Sequence, residues 1–322
     1  MPEKPKVGFY WCASCGGCEE SVVDLAEQIL DVVAAVDIVF WPVAMDFKKS
    51  DVEAMPDNAM AAVFINGAIR TTEQEEMARL LRKKSAVVVA YGSCAHLGGI
   101  PGLANLVTRQ EILSFVYGDA PSNQNAEHIQ PQRTIGTNGA AVHLPAFHET
   151  VRTLDQVISV DYYLPGCPPT PKLLADAVTA LLSGTLPPKG SVLAPDTALC
   201  DECPRKESKP NDLVLEAFHR PHQKEVDRDL CLLAQGIVCL GPATRSGCGA
   251  LCVDGNMACT GCFGPTSHVR DQGAKILSAV ASGMAARESD AIKVALEGIP
   301  DPAGSFYRYS VPASLLRKRI DH

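Results

Sequence analysis

Lys6-Val7-Gly8-Phe9-Tyr10-Trp11 runs straight into Cys12-Ala13-Ser14-Cys15-Gly16-Gly17-Cys18-Glu19-Glu20-Ser21, and this stretch decides how the chain is read. The first six residues have a strand pattern. The next stretch is too rich in cysteine and glycine for regular structure. A helical pattern begins near Glu20, with apolar residues at Val22, Leu25, Ala26, Ile29 and Leu30 along one stripe. Strand, ligand-type loop and helix in that order form the opening unit of a parallel sheet.

The alternation continues outward from there. Val36–Val43 and Ala61–Asn66 read as strands, and Thr72–Lys83 as a helix with Thr71 or Thr72 as N-cap and Glu75 nearby. Ala86–Tyr91 is a Val/Ala run typical of a strand covered on both faces. Val160–Leu164 is a further strand and Pro171–Leu182 a further helix. Such alternation implies an open parallel sheet with right-handed crossovers. Residues 1–185 are therefore expected to form a flavodoxin-like α/β domain. Gly98–Leu154 reads as an insertion of short helices over the sheet edge, and residues 183–199 as a linker. Residues 200–265 lose all periodicity while Cys, Gly and Pro become dense, so no conventional apolar core is expected there. Ser267–Ala286 returns to a helical pattern, and the tail from Glu288 carries no readable one.

Bulk composition narrows the function. A chain of 322 residues can bury a core without disulfides. Its net charge of −8 argues against nucleic acid or anionic lipid as the main partner. The Met1-Pro-Glu-Lys-Pro-Lys6 start has no apolar signal region and no twin arginine, and no apolar run approaches roughly 20 residues. No membrane association is expected, and the cytoplasm is the expected compartment. Thirteen cysteines are the anomaly, an odd number that suits thiolates on metal better than a disulfide framework.

Cys15 and Cys18 follow the first strand, Cys94 the fourth and Cys167 the fifth. All fall at the carboxyl edge of the expected sheet, where open α/β folds bind ligands. Four thiolates are the complement of a cubane [4Fe–4S] cluster, and Gly16, Gly17, Gly92 and Gly166 let backbone approach it. A structural zinc site competes, although a domain that already has a sheet needs no such staple. Cys12 and Cys15 share the same C-x-x-C spacing, so spacing alone leaves the ligating pair open; Cys15 and Cys18 are favoured, with Cys12 a non-ligand. The remaining eight cysteines divide most simply along the chain into Cys200, Cys203, Cys231 and Cys239, and Cys248, Cys252, Cys259 and Cys262. Their spacing does not match the bacterial ferredoxin run, and two zinc ribbons are the alternative. Three four-thiol sites on one chain suggest a relay. Metal cores would then organise residues 186–322, an irregular iron–sulfur domain with a C-terminal helix.

Trp11–Ser21, with Tyr91-Gly92-Ser93-Cys94-Ala95 and Leu164-Pro165-Gly166-Cys167-Pro168-Pro169, resembles the ligand motifs of [NiFe] hydrogenase small subunits, in the expected order. The likeness covers roughly residues 5–285. It implies a proximal cluster on Cys15, Cys18, Cys94 and Cys167. By family order it implies a distal cluster on Cys200, Cys203, Cys231 and Cys239, and a medial one on Cys248, Cys252, Cys259 and Cys262. Cysteine at position 200, where many periplasmic relatives have histidine, and four medial cysteines point to three [4Fe–4S] clusters. The chain is most similar to the gamma subunit of the cytoplasmic F420-non-reducing (methyl-viologen-reducing) group. That resemblance implies a nickel–iron centre in a separate large subunit. It also implies a small delta-type iron–sulfur subunit and heterodisulfide reductase as electron partners. This chain itself would carry no catalytic residue.

Three rivals stand beside this reading. A complex I-like cluster subunit is expected to have an adjacent cysteine pair and one cluster. The F420-reducing gamma subunit is expected to look more like a ferredoxin. A zinc-stapled scaffold would have no redox role. Glu19 or Glu20 is a candidate for proton traffic or for tuning the nearby cluster, against the plain reading of a helix N-terminal carboxylate. His96 is a weak candidate neighbour of the cluster, and His128, His143, His148, His219, His222, His268 and His322 show no ligand spacing.

Overall fold

A computed structural model describes residues 3–137 and 140–317. Five parallel strands form the central sheet: β1 (Lys6–Trp11), β2 (Asp37–Phe40), β3 (Met60–Asn66), β4 (Ser85–Tyr91) and β5 (Tyr162–Leu164). Their order is β2-β1-β3-β4-β5, the flavodoxin-like arrangement. The helices that position the site are α1 (Gly17–Val23), α2 (Thr72–Lys84), α3 (Ser93–Leu97), α4 (Pro171–Ser183) and α5 (Gln272–Gly283).

Alternation along each strand separates two apolar layers. Val7, Phe9, Phe64, Val89, Tyr91 and Leu164 meet Val22 of α1 and Leu173, Leu174 and Ala177 of α4. Val63, Ile65, Val88 and Ala90 meet Met77, Ala78 and Leu81 of α2 on the opposite face. Phe9 stacks on Phe64 with ring centroids 5.2 Å apart. Thr71, rather than Thr72, caps α2. Its hydroxyl accepts from Gln74 N at 3.3 Å, and its own N–H donates to Gln74 Oε1 at 3.0 Å. Thr170 caps α4, with Pro171 in the first turn and Gly184 in left-handed conformation past its end.

The expected helix from Glu20 is broken. α1 starts at Gly17 and stops at Val23; a tight turn at Ala26–Gln28 follows, and a second helix runs Ile29–Ala35. The break rotates the stripe, so Val22 and Leu25 are buried while Leu30 faces solvent. The insertion holds short helices, as expected, but also strand. Ile69–Thr71 pairs antiparallel with Phe147–Arg152, and Thr134–Thr137 pairs with Ala140–His143.

The linker is docked. Ser191 O accepts from Tyr163 N at 3.1 Å, and Leu193 N donates to Tyr163 O at 2.8 Å, extending the sheet at β5. Asp161 locks this edge: its carboxylate accepts from Arg82 at 2.5 Å, from Val88 N at 2.8 Å and from Lys189 at 2.7 Å. Burial alone would raise its pKa, but the bonds from Lys189, Arg82 and the Val88 amide outweigh burial and hold the carboxyl below its usual range. A depressed folded-state pKa gives stability that is complete above the unfolded value of about 3.9 and is lost as the pH falls through the folded value. Asp161→Asn is therefore expected to cost about 2 kcal/mol at pH 7 in urea denaturation, and clearly less at pH 3.

The absence of an apolar core in residues 200–265 is not upheld. Leu199, Leu215, Phe218, Leu232, Leu233, Ile237 and Leu240 pack with Ile276 and Val280 of α5 and with Phe306 and Val311. The core is completed from outside the segment, which is why no local period announces it. The tail from Glu288, unreadable in sequence, forms helices at Ser289–Leu296 and Pro302–Phe306. It then folds back onto the sheet unit: Gly99 N donates to Tyr309 O at 2.9 Å, and Gln156 Nε2 to Pro312 O at 2.9 Å. Among the described residues, no helix is long and apolar enough to cross a membrane.

Candidate metal centres

All thirteen cysteines are free thiols. Twelve fall into three groups. The first lies at the carboxyl edge of the sheet. Cys15 and Cys18 follow β1, Cys94 sits in α3 just after β4, and Cys167 follows β5. The loops after β4 and β5 are tied together, with Gly92 N donating to Leu164 O at 2.8 Å and Ser93 N to Gly166 O at 2.7 Å. Burial, and then the neighbouring thiols of Cys94, Cys167 and Cys15, push the Cys18 thiol up. Cys94 is pushed to about 12 by burial and then by Cys167 and Cys15. Cys167 rises through burial and then Cys15. These sulfurs therefore stand close enough to repel one another as bare thiolates, which a cationic inorganic core would reverse.

Glycines shape this site. A Cβ at Gly92 would overlap the Cys18 sulfur, and one at Gly99 would overlap the Cys94 sulfur. Gly92 also has φ +84° and ψ 166°, a conformation essentially restricted to glycine. Cys12 is held apart. It lies in the opposite apolar layer with Phe40, Met60 and Met77, and its thiol is raised by burial alone. Cys12 is thus packed on the opposite face of the sheet from the layer that holds Cys18.

Cys200, Cys203, Cys231 and Cys239 line a small pocket of about 30 Å³ with Leu199, Leu232 and Leu233. Burial drives Cys200 to about 12; Lys209 opposes this, and the thiols of Cys239, Cys231 and Cys203 add to it. Cys248, Cys252, Cys259 and Cys262 line a cavity of about 270 Å³ that also reaches Cys167. Each of these two sets thus lines a cavity of its own. Among the described residues no three His, Cys, Asp or Glu side chains close around a point as a single ion requires.

The three groups abut. Burial raises Cys262 to about 12, and the Cys167 amide facing its sulfur opposes the rise. Burial likewise raises Cys239, opposed by the amides of Gly241 and Cys259. Cys167 of the first group also lines the cavity of the third, and Leu240 N, beside Cys239 of the second, donates to Cys259 O of the third at 2.9 Å. Ser93 Oγ adds bonds to the carbonyls of Gly166 (2.8 Å) and Cys262.

Glu19 and Glu20 separate cleanly. Glu20 is exposed. Glu19 is buried and accepts from Trp41 Nε1 and from Asn66 Nδ2 (2.6 Å), and burial raises its pKa against those two bonds. His96 is half-buried two residues after Cys94, its ring tilted against Tyr163 with centroids 4.6 Å apart and Nδ1 unpartnered; burial and then Arg245 push it down to about 3. His322 lies outside the described residues. Glu202, Arg205 and Lys209 escaped the sequence reading, because nothing local marks them.

Residues 15–181 match the family model described as NADH ubiquinone oxidoreductase, 20 Kd subunit. The match spans the first cysteine group and stops before the other eight. The chain is 38% identical to the iron-sulfur subunit of the F420-non-reducing hydrogenase of Archaeoglobus profundus, covering 98% of both chains. It is also 38% identical to the corresponding F420-non-reducing hydrogenase chain of Methanothermobacter thermautotrophicus, over 99% of this chain and 98% of that one. The chain belongs to the F420-non-reducing [NiFe] hydrogenase small-subunit family. Membership makes it an electron-transferring part of an oxidoreductase complex. A likeness of fold alone extends to the H2-activated [NiFeSe]-hydrogenase of Dm. baculatum. That chain is 20% identical with TM-score 0.50, and the match covers 82% of this chain and 95% of that one. The complex I-like and F420-reducing rivals give way to this small-subunit family, whose members align along nearly the whole chain.

Proposed function

We propose that this chain is the electron relay of a cytoplasmic F420-non-reducing [NiFe] hydrogenase, holding three [4Fe–4S] clusters. Cys15, Cys18, Cys94 and Cys167 would hold the proximal cluster within residues 1–185. Cys248, Cys252, Cys259 and Cys262 would hold the medial one, and Cys200, Cys203, Cys231 and Cys239 the distal one, within residues 186–322. When bound, the clusters supply one-electron storage at each site. The observation that carries the reading is a pair of close approaches: Cys167 lines the cavity of Cys248, Cys252, Cys259 and Cys262, and Leu240 N, next to Cys239, donates to Cys259 O at 2.9 Å. They string the sites in the order first, third, second, which is the order a wire needs.

The donor sets fit. Every group is four thiols, leucine and valine side chains line the second and third cavities beside the sulfurs, and at the first site glycine stands where a Cβ would displace sulfur. A zinc ion needs four ligands about 2.3 Å from one centre, whereas a cubane takes each thiolate on a different iron. The residues around the groups hold the sulfurs in place and exclude water. Hydrogen would be split in a partner large subunit carrying the nickel–iron centre. Electrons would leave toward a small delta-type iron–sulfur subunit and heterodisulfide reductase. Metal and sulfide analysis of the anaerobically purified protein tests this: about twelve iron with equal sulfide is expected from three cubanes. Folded, colourless protein with zinc and no iron would overturn the relay.

A further inference from the structure

The second and third sites are charged differently. Arg205 is 5% exposed and lines the pocket of Cys200, Cys203, Cys231 and Cys239. Among the described residues its guanidinium donates only to neutral oxygens: the carbonyls of Asp227 (3.3 Å), Leu230 (3.4 Å) and Val253 (3.2 Å), and Asn256 Oδ1 (2.7 Å). Among the described residues it has no carboxylate in an ion pair; Asp229 and Asp254, both exposed, share with it the wall of a separate solvent-facing cavity. A buried guanidinium is strongly unfavourable without a counter-charge within reach. The four thiols of the pocket, once ionised on metal, are that counter-charge. Lys209 stands on the same wall.

The polarity reverses at the third site. Glu202, the last residue of the short helix Leu199–Glu202, points toward the third group. Its Oε1 accepts from Gly247 N at 2.9 Å and Gly249 N at 3.2 Å, and lies 3.8 Å from the Cys248 sulfur. Two amides thus clamp a carboxylate against a ligand of the third site.

We infer that Arg205, with Lys209, is the counter-cation of the second site, that Glu202 is its opposite at the third, and that the pair holds an electron more tightly at the second. This rests on the three-cluster reading above. Reduction adds one negative charge to a core, so adjacent positive charge favours the reduced form and adjacent negative charge the oxidised form. Transfer between the sites moves one electron and no atoms: the third is oxidised by one electron and the second reduced by one. Arg205, Lys209 and Glu202 are positioning residues that bias this exchange outward.

The test is a redox titration of the anaerobically purified hydrogenase complex, followed by electron paramagnetic resonance. Arg205→Gln removes the charge and is expected to lower the midpoint of one cluster and leave the other two in place. Arg205→Lys is expected to restore it. Glu202→Gln keeps an acceptor for the two amides and is expected to raise the midpoint of a different cluster. If Arg205→Gln loses iron, Lys209→Met on the same wall must shift the same cluster downward. Full iron and sulfide with unmoved midpoints in the charge-removing variants would overturn the inference while leaving the relay intact. Wild-type protein without iron would overturn the relay itself.

Discussion

Cys94→Ser in the assembled hydrogenase is expected to cut hydrogen-driven dye reduction on the order of 100-fold, whereas Cys12→Ser leaves it within about twofold per folded molecule. Cys94 sits in α3 with its sulfur turned toward Cys15 and Cys167. A serine hydroxyl there is a harder and far less acidic donor than a thiolate, so the first site loses a ligand at the entrance of the wire, and every later step is starved. Cys12 differs only in location: it packs among Phe40, Met60 and Met77 on the other side of the sheet. Serine at position 12 places a hydroxyl in an apolar layer and is expected to cost about 1–3 kcal/mol of stability, with iron content unchanged. Steady-state assays beside iron analysis distinguish the outcomes. Equal loss of activity in both variants would mean that Cys12, not Cys15 or Cys18, completes the set.

Gly92→Ala is expected to empty the first site without touching a ligand. Gly92 joins β4 to α3 with φ +84° and ψ 166°, which alone costs an L side chain about 1–3 kcal/mol. The added methyl would overlap the Cys18 sulfur. The sulfur cannot retreat freely, because Cys18 is packed in the apolar layer with Val22 and Tyr91. Loss of about four iron per chain, one cubane, is the expected reading. Gly184→Ala is the control. Gly184 also has positive φ, +65°, but a Cβ there meets nothing within 4 Å. It is expected to cost about 1 kcal/mol in stability and no iron. Retention of full iron by Gly92→Ala would show that the cradle is looser than its geometry indicates.

The first site was legible because its ligands ride on β patterns that are local. Apolar runs ending at Trp11, Tyr91 and Leu164 each precede a cysteine, and parallel pairing then forces those ends onto one edge. The three-residue strand Ile69–Thr71 was not legible, since its partner Phe147–Arg152 lies far along the chain and no turn joins them. The core of residues 200–265 failed for the same reason. Leu215, Leu232 and Ile237 arrive in apolar runs too short to show a period, and find their partners on α5.

The sequence by itself determined which atoms are available: thirteen thiols in four stretches of the chain, a sheet to present the first of them, and a net charge of −8. These follow from residue type and short-range period, which are local properties. Only the tertiary structure decided that Cys12 packs on the opposite face of the sheet, that Cys167 lines the cavity of Cys262, and that Arg205 is buried on the wall of the second pocket with no bonded carboxylate among the described residues. Those facts depend on which face a side chain takes and on segments distant in sequence meeting in space, and no local pattern encodes either.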